Sequence, residues 1–215
     1  MFGLFYGFWQ LLFRKDEYNI LILGVDGAGK TSVLTTMKQL LGRRQSGAGP
    51  PLLQEGRTLP TVGLNIGTIQ LSSARLTFWD LGGQKSLRSI WEKYFAEAHA
   101  LLYVIDSADD ARFDDARLTL QGLLSHPDLE GVPLLLFANK QDIHAALSPG
   151  ELETRLGLQQ VYSSSQPRLV VGTRALDGVG IEEGVMWLVD RMQASSRHAS
   201  GAPTPKGSSW PNYDD

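Results

Sequence analysis

The chain has 215 residues, 42% of them hydrophobic and 20% charged, which suits one compact domain with some tail. A formal net charge of −3 gives no electrostatic reason to expect a nucleic-acid partner. The absence of cysteine excludes disulfides, thiolate metal sites, thiol catalysis, and prenyl or palmitoyl anchors. It also weakly favours a reducing compartment. His99, His126, His144 and His198 lack ligand spacing and are read as structural or surface residues. No apolar run reaches the ~20 residues of a membrane span.

The first segment, MFGLFYGFWQLLFRKDEY, reads as an amphipathic helix over 1–15. Gly3, Gly7, Gln10 and Arg14 fall on one narrow stripe, with Phe2, Leu4, Phe5, Phe8, Trp9, Leu11, Leu12 and Phe13 over the rest. It would extend only ~20 Å, too short to cross a bilayer. Its glycines each cost roughly 1 kcal/mol of helix propensity, so it needs a surface to fold against. A signal peptide is disfavoured because the positive residues follow the apolar run. A core-packing first helix is the alternative.

The apolar run 20–23 predicts a buried strand, and the spacing Gly24-x-x-x-x-Gly29-Lys30-Thr31 after it is that of a phosphate-binding loop. Its glycines let backbone N–H groups turn inward on an anion; Asp26, Gly27 and Ala28 lie within the loop and Ser32 follows it. Lys30 would reach terminal phosphates, and the Thr31 hydroxyl would ligate magnesium. A helix over 30–41 aims its N-terminus at the same point. Residues 42–60, rich in Gly, Pro and charge, read as a long surface loop. Thr61 then offers a hydroxyl that could complete the magnesium shell and sense a γ-phosphate.

Strands at 64–71 and 76–79 are separated by so few residues that they must form an antiparallel hairpin. At the end of the second, Asp80 would face the magnesium through a water. The Gly83 N–H can approach a γ-phosphate, and Gln84 can orient the attacking water. A helical pattern at 84–97, a strand at 101–105 and a helix at 109–125 follow. The strand at 134–138 ends in Asn139-Lys140-Gln141-Asp142. Asp142 can accept from guanine N1–H and the 2-amino group, a donor pair that adenine lacks. A buried carboxylate left unpaired there would discriminate strongly. Asn139 can bond base N7 and tie the loops together, while the Lys140 stem lies over the base. After a helix at 149–156 and a strand at 169–172, the Ala175 N–H, with Leu176 beside it, could meet guanine O6. A final helix spans 180–193, and the tail from Ser195 has little to bury and is expected to be disordered. The alternation predicts an α/β fold with a mostly parallel sheet of six strands and helices on both faces. The domain itself is placed at 16–194, with 195–215 as the tail.

Gly24-x-Asp26-x-Ala28-Gly29-Lys30-Thr31, Pro60-Thr61-Val62-Gly63, Trp79-Asp80-Leu81-Gly82-Gly83-Gln84 and Asn139-Lys140-Gln141-Asp142 together resemble the Arf/Arl branch of small GTPases over about residues 1–193. Within the branch the resemblance is strongest to the Arf-related members of the Golgi. It implies a P-loop GTPase that binds GTP and GDP with Mg²⁺, a monomer regulating vesicle traffic at Golgi and trans-Golgi membranes. It further implies an exchange factor, an activating protein and effectors, the last at a surface equivalent to Leu64, Trp79 and Tyr94. The N-terminal helix would be expelled toward the membrane in the GTP form, where a Golgi membrane protein partner is also expected. Phe2 rules out myristoylation, so aromatic side chains, with N-terminal acetylation, must serve as the anchor. The chain departs from the branch at Gly27, where Asn is usual, at Leu64, where Phe is usual, and at Arg174-Ala175-Leu176. Asp26 places a carboxylate near the γ-phosphate and no arginine in the loops matches a built-in finger. Unaided turnover is therefore expected on the order of 10⁻³ s⁻¹ or below. A P-loop kinase or ATPase would need an acceptor lid and an adenine pocket, against which Asn139, Lys140 and Asp142 argue. Gln84 argues against a nucleotide-bound adaptor that never hydrolyses.

Overall fold

The computed structural model describes residues 15–46, 61, 63–158 and 166–195. The expected N-terminal helix, most of the 42–60 loop and the tail beyond Ser195 therefore lie outside the described residues.

Six strands form one sheet: β1 (Asp16–Leu23), β2 (Leu64–Gln70), β3 (Ala74–Leu81), β4 (Ala100–Asp106), β5 (Leu134–Asn139) and β6 (Arg168–Gly172). Their order across the sheet is β2-β3-β1-β4-β5-β6. Only β2 runs antiparallel, paired with β3 from Leu64↔Leu81 to Gln70↔Arg75, as the short connection requires. The other four pairings are parallel.

Strand β1 is apolar at every position from Ile20 to Leu23 because it is covered on both faces. Alternate side chains go to opposite faces. Ile20 and Ile22 join Leu102, Val104, Leu135 and Phe137 beneath two helices, α1 (Lys30–Ser46) and α4 (Ile181–Ala194). Val33, Leu34, Met37 and Leu41 of α1 and Ile181, Val185, Leu188, Val189 and Met192 of α4 fill that layer. Leu21 and Leu23 join Leu101, Tyr103, Ile105, Leu134 and Leu136 on the other face. There they meet α2 (Phe113–Leu124), α3 (Pro149–Leu156) and the segment Lys85–Glu97. Helix α3 starts on a full capping box between Ser148 and Glu151 and stops at Gly157 in the left-handed conformation.

One expectation is refined and one is corrected. Lys85–Glu97 is a 3₁₀ helix, closed at its ends by Leu87 N–H to Gln84 O (2.9 Å) and Ala98 N–H to Phe95 O (3.1 Å). Its apolar residues suit either helix type, so periodicity could not separate them. Helix α1 also continues through Gly42 to Ser46, five residues into the segment read as loop. A single interior glycine costs about 1 kcal/mol, which good helix formers on both sides offset.

The topology places the site. The order in which strands are laid down reverses about β1, with β3 added on one side and β4 on the other, and open α/β sheets bind ligands at the carboxyl edge there. Leu23, Asp80, Asp106, Asn139 and Gly172 all lie at or near the carboxyl ends of their strands there.

Candidate nucleotide site

The loop from Gly24 to Gly29 joins the end of β1 to the first turn of α1. Lys30 is buried, and its Nζ donates to Gly24 O (2.9 Å) and Val25 O (3.0 Å). Burial pushes the Lys30 pKa down to about 8, with Asp80 and Asp26 opposing, so the ammonium stays charged at neutral pH. A phosphate in the cradle would offer it a stronger, charged acceptor. Ala28 is fully buried and Ser32 partly so, which anchors the loop to the helix behind it.

Three side chains from three elements meet beside Lys30. Thr31 Oγ1 donates to Asp80 Oδ2 (2.8 Å) and lies 2.8 Å from Thr61 Oγ1. Because the Thr31 hydroxyl hydrogen is directed at Asp80, Thr61 is the donor of that second bond. Asn65, which the motifs did not flag, donates to the same Asp80 oxygen at 3.4 Å. Asp80 is fully buried and its other oxygen, Oδ1, has no hydrogen-bond partner. Burial raises the Asp80 pKa despite the bonds from Thr31 and Asn65. An orphaned buried carboxylate oxygen beside two hydroxyls fits a hard divalent cation. Among the described residues no three acidic, histidine or cysteine side chains gather as an all-protein cage. Phosphate oxygens and water would have to complete the shell, the usual arrangement for magnesium.

Asp26 has a partner that the sequence did not indicate. Arg112, in the 3₁₀ turn Asp110–Arg112, donates from Nη1 to Asp26 O (2.6 Å) and lies 3.4 Å from its carboxylate. Asp109 fixes the same guanidinium through Nε at 2.5 Å. The departure at Gly27 makes room for it: a Cβ there would lie 2.9 Å from Arg112 Nη2. An arginine therefore does reach the phosphate loop, though through Asp26.

Gly83 abuts the loop, where a Cβ would come within 2.4 Å of Lys30 Nζ and 2.5 Å of Gly24 O. Only glycine fits. Gln84 follows with an exposed side chain that makes no cap bond to the 3₁₀ helix it precedes.

On the base side, Asn139 is buried and ties three segments together. Its Nδ2 donates to Ala28 O (2.9 Å), and its Oδ1 accepts from Thr173 Oγ1 (3.2 Å) and Ala175 N–H (3.1 Å). The Ala175 N–H expected at guanine O6 is thus engaged by Asn139. Thr36 of α1 adds a bond to Ala175 O at 2.6 Å. Lys140 is held at φ 66° and its Nζ donates to Asp106 Oδ2 at 2.5 Å. Asp142 is exposed, as is Leu176. The Asp142 carboxylate is therefore open to water, and only an arriving base could bury it.

Leu64, Trp79 and Tyr94 are all partly buried against one core layer, and Trp79 meets Tyr94 edge-on with centroids 5.3 Å apart. Ile66 pairs directly across from Trp79 and is 51% exposed, which enlarges that surface by a residue the motifs did not flag.

The family model of the ADP-ribosylation factor family matches residues 5–192. ADP-ribosylation factor-related protein 1 of Rattus norvegicus is 41% identical over 189 residues, 88% of this chain and 92% of that protein. ADP-ribosylation factor-like protein 3 of Saccharomyces cerevisiae is 35% identical over 198 residues, 92% of this chain and 96% of that protein. The small GTPase Arl6 (BBS3) of Trypanosoma brucei, solved with the nucleotide analogue GppNp, superposes with a TM-score of 0.70 at 29% identity. It covers 83% of this chain and 98% of its own.

Proposed function

The chain belongs to the ADP-ribosylation factor family and is a small GTPase, and we propose that its GDP–GTP cycle controls recruitment to Golgi and trans-Golgi membranes, where it regulates vesicle traffic. The observation that carries the reading is the meeting of Thr31, Thr61 and Asp80 beside the phosphate loop. Thr61 comes from the segment before β2, so making and breaking its link to Thr31 would give that segment two states. With a γ-phosphate bound, Thr61 has a reason to stay; after hydrolysis it has less.

The residues divide by task. Gly24 to Gly29 and Lys30 bind the phosphates, and Gly83 reads the terminal one. Thr31 and Thr61, with Asp80 through a water, would hold Mg²⁺, which supplies positive charge against the terminal phosphates when bound. Gln84 orients the attacking water. Asp142 reads the guanine edge, and Asn139 keeps the loops around the base in register. Leu64, Ile66, Trp79 and Tyr94 form the effector surface. An exchange factor and an activating protein drive the two half-cycles.

No helix among the described residues is long and apolar enough to cross a membrane. Recruitment falls to the aromatic segment 1–15, with a membrane protein partner, and the Golgi assignment rests on the sequence resemblance. Deleting residues 2–13 should abolish GTP-dependent flotation with Golgi-type liposomes or membranes while nucleotide binding persists. Equal membrane recovery of the GDP-bound and GTP-bound full chain would overturn the switch.

A further inference from the structure

The backbone of Gly82 and Gly83 is held at two successive carbonyls. The indole Nε1 of Trp91, a side chain only 3% exposed, donates to Gly82 O at 3.0 Å. Arg88 Nε donates to Gly83 O, also at 3.0 Å. Arg88 is in turn fixed to α2. Its Nη1 and Nη2 grip the two carboxylate oxygens of Asp115 at 2.8 and 2.7 Å, and Nη1 also donates to Thr119 Oγ1 at 2.8 Å. The Arg88 and Asp115 side chains are only 16% and 27% exposed, so this fork is partly shielded from screening.

A trans peptide is planar, with its C=O and N–H pointing to opposite sides. Holding Gly82 O therefore sets the direction of the Gly83 N–H, and holding Gly83 O sets that of the Gln84 N–H. The peptide so aimed lies against the phosphate loop, where a Cβ on Gly83 would come within 2.6 Å of Asp26 N. Paired glycines have more backbone freedom than any other dipeptide, and ordering them on each binding event costs affinity unless they are held beforehand.

We propose that Trp91 and Arg88 are positioning residues for nucleotide discrimination, a two-point clamp that presents the Gly83 N–H to the terminal phosphate of GTP, which GDP lacks. The proposal rests on the reading of Gly83 as terminal-phosphate sensor. Both side chains bond the glycine backbone itself, at Gly82 O and Gly83 O, and it is through that backbone that they would act. Asp115 and Thr119 make α2 the fixed body against which the clamp works.

The test is the affinity of the full chain, with magnesium, for GDP and for GppNp. Trp91→Phe and Arg88→Ala should each weaken GppNp binding about 3–10-fold, the value of a lost hydrogen bond. GDP affinity should stay within about twofold, since the clamped peptide has no contact with GDP. Asp115→Ala should act in the same direction. Equal losses for both nucleotides, or unchanged GppNp affinity, would overturn the clamp. Thermal unfolding of each variant checks folding, and Arg88→Gln, which keeps the stem, replaces Arg88→Ala if that variant does not fold. Gly83→Ala, whose methyl would crowd Lys30 Nζ and Gly24 O, tests the sensor. If its ratio of GppNp to GDP affinity equals that of the parent chain, the sensor reading is wrong; if that ratio falls while those of Trp91→Phe and Arg88→Ala do not, only the clamp is.

Discussion

Gln84→Leu is expected to bind GTP normally and to hydrolyse it, under an activating protein, at least about 100-fold more slowly than the parent chain. The Gln84 side chain is exposed and makes no cap bond, so the exchange removes no contact that holds the fold. Stability should change by no more than about 0.5 kcal/mol. What is lost is a donor and an acceptor on one amide, placed one residue beyond the glycine that abuts the phosphate loop. Leucine has neither, so water in the site is no longer oriented for in-line attack. Single-turnover hydrolysis beside equilibrium GTP binding separates the two effects. Normal hydrolysis by the mutant would mean that another group positions the water.

Asp142→Asn should change which base is bound. Each of two hydrogen bonds from guanine to a carboxylate is worth about 1.5–3 kcal/mol, so losing both should weaken GTP binding roughly 10²–10⁴-fold. Xanthine carries an oxygen where guanine has its 2-amino group. The side-chain amide introduced by the substitution can donate to that oxygen, so xanthine nucleotides should gain relative affinity. The exposed position of Asp142 makes the substitution harmless to folding. Exposure also determines how specificity arises. The carboxylate is well solvated until a base covers it; adenine would strip that water and return no donors. Competitive nucleotide binding decides the matter, and an unchanged preference for GTP would remove Asp142 from the base site.

Local pattern carried most of the fold. The run Ile20-Leu21-Ile22-Leu23 is uninterrupted because β1 is covered on both faces, and the phosphate loop is read from consecutive residues. Contacts between distant segments leave no such local pattern. Arg112 and Asp26 are 86 residues apart, and Asn139 and Ala28 are 111 apart. The motif implied that Asn139 ties loops together without naming Ala28, and nothing in spacing or periodicity says that Arg112 and Asp26 meet. Arg88 illustrates the point: within 85–97 it reads as one more charged residue on a helix, and only the folded chain sets it between Gly83 and Asp115. Gly27 stood out in sequence as a departure from the family pattern, whereas in the structure its missing Cβ is where Arg112 lies.

The roles of Gln84, Asp142 and the Gly82–Gly83 clamp all depend on the site being built for a guanine nucleotide. Denaturing the purified full chain and identifying the released nucleotide by ion-exchange chromatography puts that to the test. GDP or GTP should appear in stoichiometric amount, displaced from the native protein by added guanine nucleotides and not by ATP. Release of ADP or ATP, or displacement by ATP as readily as by GTP, would contradict it.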